Sequence, residues 1–192
     1  GMKMEDVRWG ILGTGTVAAK FAEGLGYVPG SRLQAVASRS GAKAQGFAAA
    51  FGAARAHEGY QRLVQDPDVD VVYVATPNHL HREHCLLAFE AGKPVLCEKP
   101  FALDAAEGRA VVNAARRRGL FCMEAMWMRF SPALREVLEL VRDGDLGEVR
   151  MLTAQLGFAH ALDPANRLFA RPGGGALRDL GVYLVWLAQV VL

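Results

Sequence analysis

An apolar run, Val7-Arg8-Trp9-Gly10-Ile11-Leu12, opens directly into Gly13-Thr14-Gly15-Thr16-Val17-Ala18 and then into a helical pattern that reaches about Tyr27. Strand, glycine turn and helix in that order restrict the fold more than any other stretch of the chain. The first glycine permits a tight turn, the second lets a pyrophosphate approach the backbone, and the small third residue lets helix pack on strand. Gly13, Thr14, Gly15, Thr16 and Val17 are therefore candidate dinucleotide-binding residues.

A second strand, Leu33 to Ala37, ends in Ser38-Arg39-Ser40. A site that prefers NAD would place a carboxylate here for the ribose hydroxyls. The sequence has none, and Arg39, with Ser38 and Lys43, can instead meet a 2′-phosphate, which favours NADP over NAD. Ser40 is predicted to cap an alanine-rich helix running to about Phe51. A loop with His57-Glu58-Gly59-Tyr60 and a short helix ending at Asp66-Pro67 then lead to a third buried strand, Val69 to Ala75, which ends in Thr76-Pro77-Asn78-His79. His79, His81 and His84 raise the question of a metal, because 81 and 84 share a helix face. We expect none: no cysteine or carboxylate is placed to complete a site, Asn78 reads as a helix cap, and His79 precedes the helix. That helix runs to about Ala91 and is closed by Gly92.

The apolar run Pro94 to Cys97 is a short strand halted by Glu98-Lys99-Pro100, since proline cannot continue a ladder. In open α/β sheets ligands bind beyond the carboxyl ends of the strands, so Glu98 and Lys99 are functional candidates by position alone. Asp104-Ala105-Ala106-Glu107 has capping-box spacing and starts a helix to Arg118, where Arg116-Arg117-Arg118 face the negative end of the dipole before Gly119. Leu120 to Met123 is a fifth strand, followed by Glu124-Ala125-Met126-Trp127-Met128-Arg129-Phe130 and by a helix that Ser131 is expected to cap, with Pro132 in its first turn, ending near Gly144. Five βα units within residues 1–125 predict an α/β fold, a Rossmann-type doubly wound parallel sheet. Residues 126–192 then begin a second domain of α+β type. Residues 148–158 alternate as an antiparallel strand with one covered face would, and a polar loop, Asp163-Pro164-Ala165-Asn166-Arg167, follows. Gly173-Gly174-Gly175 leads into a helix that carries Asp179 and Tyr183 on one face.

Composition excludes several classes. A net charge of +2 over 192 residues, without a long basic block, points neither to nucleic acid nor to a membrane surface. Three cysteines, at 85, 97 and 122, have no disulfide spacing, and the first residues lack an apolar signal region. Gly1 before Met2 reads as a tag scar, and a reduced, cytoplasmic protein is expected.

Taken in order, Gly13 to Ala18, Glu98-Lys99-Pro100, Glu124 to Phe130 and Gly173-Gly174-Gly175-Ala176-Leu177-Arg178-Asp179-Leu180-Gly181-Val182-Tyr183 resemble the glucose-fructose oxidoreductase / inositol dehydrogenase / rhizopine catabolism (Gfo/Idh/MocA) family. The last two stretches resemble most closely the branch of dimeric dihydrodiol dehydrogenases and NADP-dependent xylose dehydrogenases. The resemblance implies an NADP-dependent dehydrogenase moving a hydride between a nicotinamide and a secondary alcohol of a sugar, polyol or dihydrodiol. It implies that Lys99 and Tyr183 are catalytic, with Asp179 orienting the substrate or Lys99. Thr76, Pro77, Asn78, His81 and Glu98 would line the cofactor, and Trp127 and Arg129 would flank nicotinamide and substrate. Tyr183 would take the hydroxyl proton, with Lys99 favouring its phenolate and stabilising the developing alkoxide.

Members of this family continue into a larger second domain, so the chain is expected to carry an incomplete one. The apolar helix after Tyr183 would then lack much of its cover, which predicts a homo-oligomer, a partner chain or poor solubility. The alternative to an active enzyme is a non-catalytic NADP-binding protein or an inactive truncated product.

Overall fold

The computed structural model describes residues 6–163, 166, 168–169 and 172–192. Pro164, Ala165 and Arg167 of the expected polar loop lie outside the described residues. The chain divides into two compact units, Gly1–Glu124 and Ala125–Leu192.

The first unit is built on strands β1 (Val7–Leu12), β2 (Ser31–Ser38), β3 (Arg55–Glu58), β4 (Val71–Val74), β5 (Val95–Cys97) and β6 (Cys122–Glu124). They form one sheet in the order β3-β2-β1-β4-β5-β6, and every pairing is parallel. Helices α1 (Thr16–Leu25), α2 (Gly41–Phe51), α3 (Tyr60–Val64), α4 (His81–Glu90) and α5 (Ala105–Arg118) make the crossovers. Strand order reverses between β1 and β4, the position where doubly wound sheets open a crevice for ligands. All four residues of β4 are buried, as a central parallel strand covered on both faces requires.

Local signals act as their chemistry dictates. The Ser40 hydroxyl accepts from the Lys43 amide at 3.4 Å and caps α2. Asp104 accepts from the Glu107 amide at 2.9 Å, and Glu107 reaches back to the Leu103 amide at 3.1 Å, one residue before the expected partner. Gly119 closes α5 with φ at +64°, beneath the three arginines of its last turn.

Four expectations need correction. The stretch read as a loop at His57-Glu58 belongs to β3, so the sheet has six strands rather than five. Arg55–Glu58 is an edge strand held by backbone pairing to Ala35–Ser38, and such a strand needs no apolar run to announce it. Asn78 does not cap α4; it lies within a 3-10 turn, Asn78–Leu80, that precedes the helix. Ser131 precedes helix α6 (Pro132–Asp143) without a side-chain cap bond, and Pro132 starts the helix through its fixed φ.

The fourth correction concerns the second unit. Residues 148–158 form no strand, and its described residues hold α6, a 3-10 turn Trp127–Phe130, a π turn Leu177–Gly181 and helix α7 (Val182–Val191). Alternation alone cannot make a strand; a ladder partner must satisfy the backbone, and none is present among the described residues. The described residues of this unit hold helices and turns and no strand, where an α+β domain was expected.

Candidate cofactor and active site

The turn between β1 and α1 shows why two glycines are needed. Gly13 has φ at +103°, and a Cβ there would stand 2.8 Å from the carbonyl oxygen of Ala75. Only glycine permits β1 and the end of β4 to run so close. Gly15 meets a different requirement. A Cβ added at Gly15 would find nothing within 4 Å, so the backbone at the start of α1 is open to an incoming group. Thr16 and Val17 follow, exposed, in the first turn, where unpaired N–H groups and the dipole favour an anion.

Beside this turn lies an open cleft of about 430 Å³ lined by Thr14, Gly15, Lys43, Gly46 and Phe47. Ser38 is buried at the end of β2, where its hydroxyl accepts from the Ser40 amide at 3.3 Å. Lys43 lines this cleft, Arg39 is exposed immediately after β2, and no carboxylate ends β2. A glycine cradle, a helix N-terminus and two cations fit a phosphorylated dinucleotide.

At the end of β4, Thr76 is clamped from two sides. Its hydroxyl sits 2.8 Å from Nδ1 of His84 and its carbonyl oxygen 2.9 Å from Nε2 of His81. His81 is 1% exposed, and its Nδ1 lies 2.8 Å from the carbonyl oxygen of Pro100. Burial pulls the imidazoles of both His81 and His84 down, and for His81 the two carbonyls pull the other way. His81 thus turns inward to hold backbone and His84 to hold the Thr76 hydroxyl, while His79 is exposed. Among the described residues no three His, Cys, Asp or Glu side chains converge as a metal site would require. Pro77 is exposed and Asn78 half-buried just beyond the carboxyl end of β4.

Lys99 is the second residue beyond β5, and its peptide bond to Pro100 is cis. The carboxylate of Glu98 accepts from the Lys99 amide at 3.1 Å and from the Tyr73 hydroxyl at 2.5 Å. Glu124, at the end of β6, accepts from the Phe101 amide at 2.9 Å. Sequence reasoning gave Tyr73 no role, weighed His84 only as a metal ligand, and met Glu124 only as the first residue of a motif. The available signals were a tyrosine inside an otherwise aliphatic strand, whose hydroxyl must find a partner, and a carboxylate at a strand end beside the Lys99 strand.

In the second unit, Trp127 is 62% exposed and its indole N–H donates to the phenol oxygen of Tyr183 at 3.1 Å. Arg129 is exposed in the same 3-10 turn, and its carbonyl accepts from Nε of Arg135 at 3.4 Å. Asp179 lies in the π turn and Tyr183 in the first turn of α7. The single α-helix expected through these two residues is therefore widened at its start, a distortion frequent at functional sites.

Comparison with known proteins gives this geometry a lineage. The description "Oxidoreductase family, NAD-binding Rossmann fold" matches residues 7–126. This chain belongs to the Gfo/Idh/MocA family. The C-terminal domain of the same family matches residues 134–192. Among its relatives, trans-1,2-dihydrobenzene-1,2-diol dehydrogenase of Mus musculus is 40% identical over 187 residues, covering 96% of this chain and 56% of that enzyme. The crystal structure of aldose-aldose oxidoreductase from Caulobacter crescentus, complexed with glycerol, superposes with a TM-score of 0.87 at 35% identity, covering 97% of this chain and 58% of that one. KijD10, a 3-ketoreductase from Actinomadura kijaniata crystallised with TDP-benzene and NADP, gives 0.81 at 32% identity over 98% of this chain and 57% of that one. The chain spans little more than half the length of these members of the Gfo/Idh/MocA family.

Proposed function

We propose that this chain carries the cofactor-binding part of an NADP-dependent dehydrogenase that moves a hydride between nicotinamide and a secondary alcohol of a sugar, polyol or dihydrodiol. The observation that carries the reading is the gathering of three segments at the carboxyl ends of β1, β4 and β5: the Gly13–Gly15 turn, Thr76-Pro77-Asn78 and Glu98-Lys99-Pro100. That is the end of a doubly wound sheet where a dinucleotide binds. NADP, when bound, accepts or supplies the hydride at C4 of its nicotinamide.

The chain's own residues do the rest. The amides at the start of α1 hold the pyrophosphate, with Gly13 shaping the turn and Gly15 leaving room for approach. Arg39 and Lys43 take the 2′-phosphate, aided by Ser38. Thr76, Pro77, Asn78 and Glu98 border the nicotinamide end, and His81 acts on it through the Thr76 carbonyl. Lys99 supplies a cation that stabilises an alkoxide, and Tyr183, its phenol oriented by Trp127, exchanges the hydroxyl proton. Asp179 and Arg129 orient the substrate. The relatives act on a dihydrodiol and on aldoses, which is the basis for the substrate class.

Titration with NADPH and NADH, followed by tryptophan fluorescence, tests the cofactor reading. Saturable quenching with NADPH at least about tenfold tighter than NADH is expected. Equal affinity for both would overturn the assignment of Arg39 and Lys43, and absence of binding to either would overturn the cofactor reading itself.

A further inference from the structure

The segment Glu98 to Phe101 is held from three directions by polar side chains, of which Tyr73 and His81 are buried and Glu124 is half-buried. From β4, the Tyr73 hydroxyl donates to Oε1 of Glu98 at 2.5 Å, while Oε2 of the same carboxylate accepts from the Lys99 amide at 3.1 Å. From β6, Oε1 of Glu124 accepts from the Phe101 amide at 2.9 Å. From α4, His81 lies 2.8 Å from the Pro100 carbonyl oxygen. Each residue from 99 to 101 thus has one backbone group tied to a side chain, in a loop that carries no regular secondary structure of its own. A short segment flanked by a strand end needs no such reinforcement to turn. Three ties cost desolvation of two carboxylates and an imidazole, an expense that makes sense where a side chain must be held to a fraction of an ångström.

Tyr73 is itself locked. Its ring stacks on Phe21 with centroids 3.9 Å apart and planes at 22°, and Phe21 in turn meets Trp9 edge to face at 5.0 Å. The aromatic column fixes the ring from α1 and β1, and the hydroxyl transmits that placement to Glu98. Burial and the adjacent Glu98 hold the phenol proton on, so Tyr73 remains a donor.

We propose that Tyr73 and Glu124 are positioning residues for Lys99, Tyr73 acting through the Glu98 carboxylate and Glu124 through the Phe101 amide. The consequence for turnover rests on the reading of Lys99 as catalytic; the ties themselves do not.

Two arms keep these apart. In the first, backbone amide hydrogen exchange is followed by NMR in the ligand-free protein. Tyr73→Phe, which keeps the ring stack, is expected to speed exchange at Lys99 at least about tenfold, and Glu124→Ala to do the same at Phe101, with amides of β1 and β2 unchanged. Glu124→Gln, which still offers an acceptor, is expected to restore protection at Phe101. Exchange at Lys99 within about twofold of wild type in Tyr73→Phe would overturn the proposal whatever the enzyme does. In the second arm, NADP-dependent oxidation of a dihydrodiol or aldose is measured. Tyr73→Phe and Glu124→Ala are expected to lower kcat about tenfold or more while KM and NADPH affinity stay unchanged. Lost amide protection with unaltered kcat would overturn the positioning role. Full turnover in Lys99→Met would overturn the reading of Lys99 alone.

Discussion

The indole N–H of Trp127 donates to the phenol oxygen of Tyr183 at 3.1 Å, with the two rings edge to face at 5.8 Å and 66°. A residue from a 3-10 turn thereby sets the direction of a phenol on α7, across 56 residues of sequence. If Tyr183 exchanges the substrate proton, Tyr183→Phe should lower kcat about 10²- to 10⁴-fold. Trp127→Phe keeps the ring contact but removes one hydrogen bond, and should lower it about three- to tenfold. Initial rates of NADPH formation check both. Equal losses in the two variants, or none in Tyr183→Phe, would refute the assignment.

Gly13 and Gly15 separate folding from binding. Gly13→Ala would force a side chain into positive φ and against the Ala75 carbonyl, and should destabilise the first unit by about 1–3 kcal/mol. Gly15→Ala meets no neighbour, so its stability should stay within about 1 kcal/mol of wild type while NADPH affinity falls steeply. Urea unfolding and fluorescence titration of both variants decide the matter. A Gly15→Ala protein that binds NADPH normally would remove the pyrophosphate from this turn.

Arg39 carries the cofactor preference in our reading. Losing a charge-assisted hydrogen bond to a 2′-phosphate costs about 1.5–3 kcal/mol, so Arg39→Ala should weaken NADPH roughly 10- to 100-fold. NADH, which lacks that phosphate, should bind as before. A parallel loss for both cofactors would mean that Arg39 supports the adenosine end without reading the phosphate.

Asp66 makes part of the stability pH-dependent. Its side chain is 2% exposed and accepts from Arg55 at 2.6 Å and from the Asp68 amide at 2.9 Å, with His57 at 3.0 Å. Burial pushes its carboxyl up, but the Asp68 amide, His57 and Arg55 together bring it below the ordinary 3.8. A carboxyl lowered on folding stabilises the protein above its unfolded value, and that contribution is lost as pH falls through the folded value. Asp66→Asn should therefore cost about 1–3 kcal/mol near neutral pH, with the gap from wild type narrowing toward about pH 3. Urea unfolding across that range measures it. A gap that stays constant in acid would show that the charge is not what stabilises.

The cysteines should be inert. Burial, with neighbouring thiols, pushes Cys97 well above the ordinary 9.0 and Cys122 up to about 12, and Cys85 is fully enclosed. A disulfide reagent at neutral pH should label the native protein slowly and all three thiols rapidly after unfolding. Fast labelling of Cys97 in the native state would contradict the packing around β5.

Much of the fold was legible because its signals are local. Leu12, Val72, Val74 and Val95 announce strands by unbroken burial, and Ser40, Asp104 and Gly119 mark helix ends by chemistry confined to a few residues. The glycine turn and the Lys99 motif likewise carry their meaning at short range, which is why the sequence alone places both at strand ends. β3 was missed and a strand over 148–158 was wrongly expected for one shared reason. Whether an extended segment becomes a strand depends on a partner for its backbone, and Arg55–Glu58 has one in β2 whereas no described residue pairs with 148–158.

The sequence by itself determined the order of βα units, the glycine turn between β1 and α1 and the end of the sheet at which Lys99 emerges. The ties around Lys99 were decided only by tertiary structure. Tyr73 and Glu98 are 25 residues apart and Glu124 and Phe101 are 23 apart, and they meet because parallel register sets Tyr73 beside Leu96 and Glu124 beside Cys97. No local pattern encodes such a meeting, since a hydrogen bond between distant residues exists only once the sheet has aligned the strands that carry them.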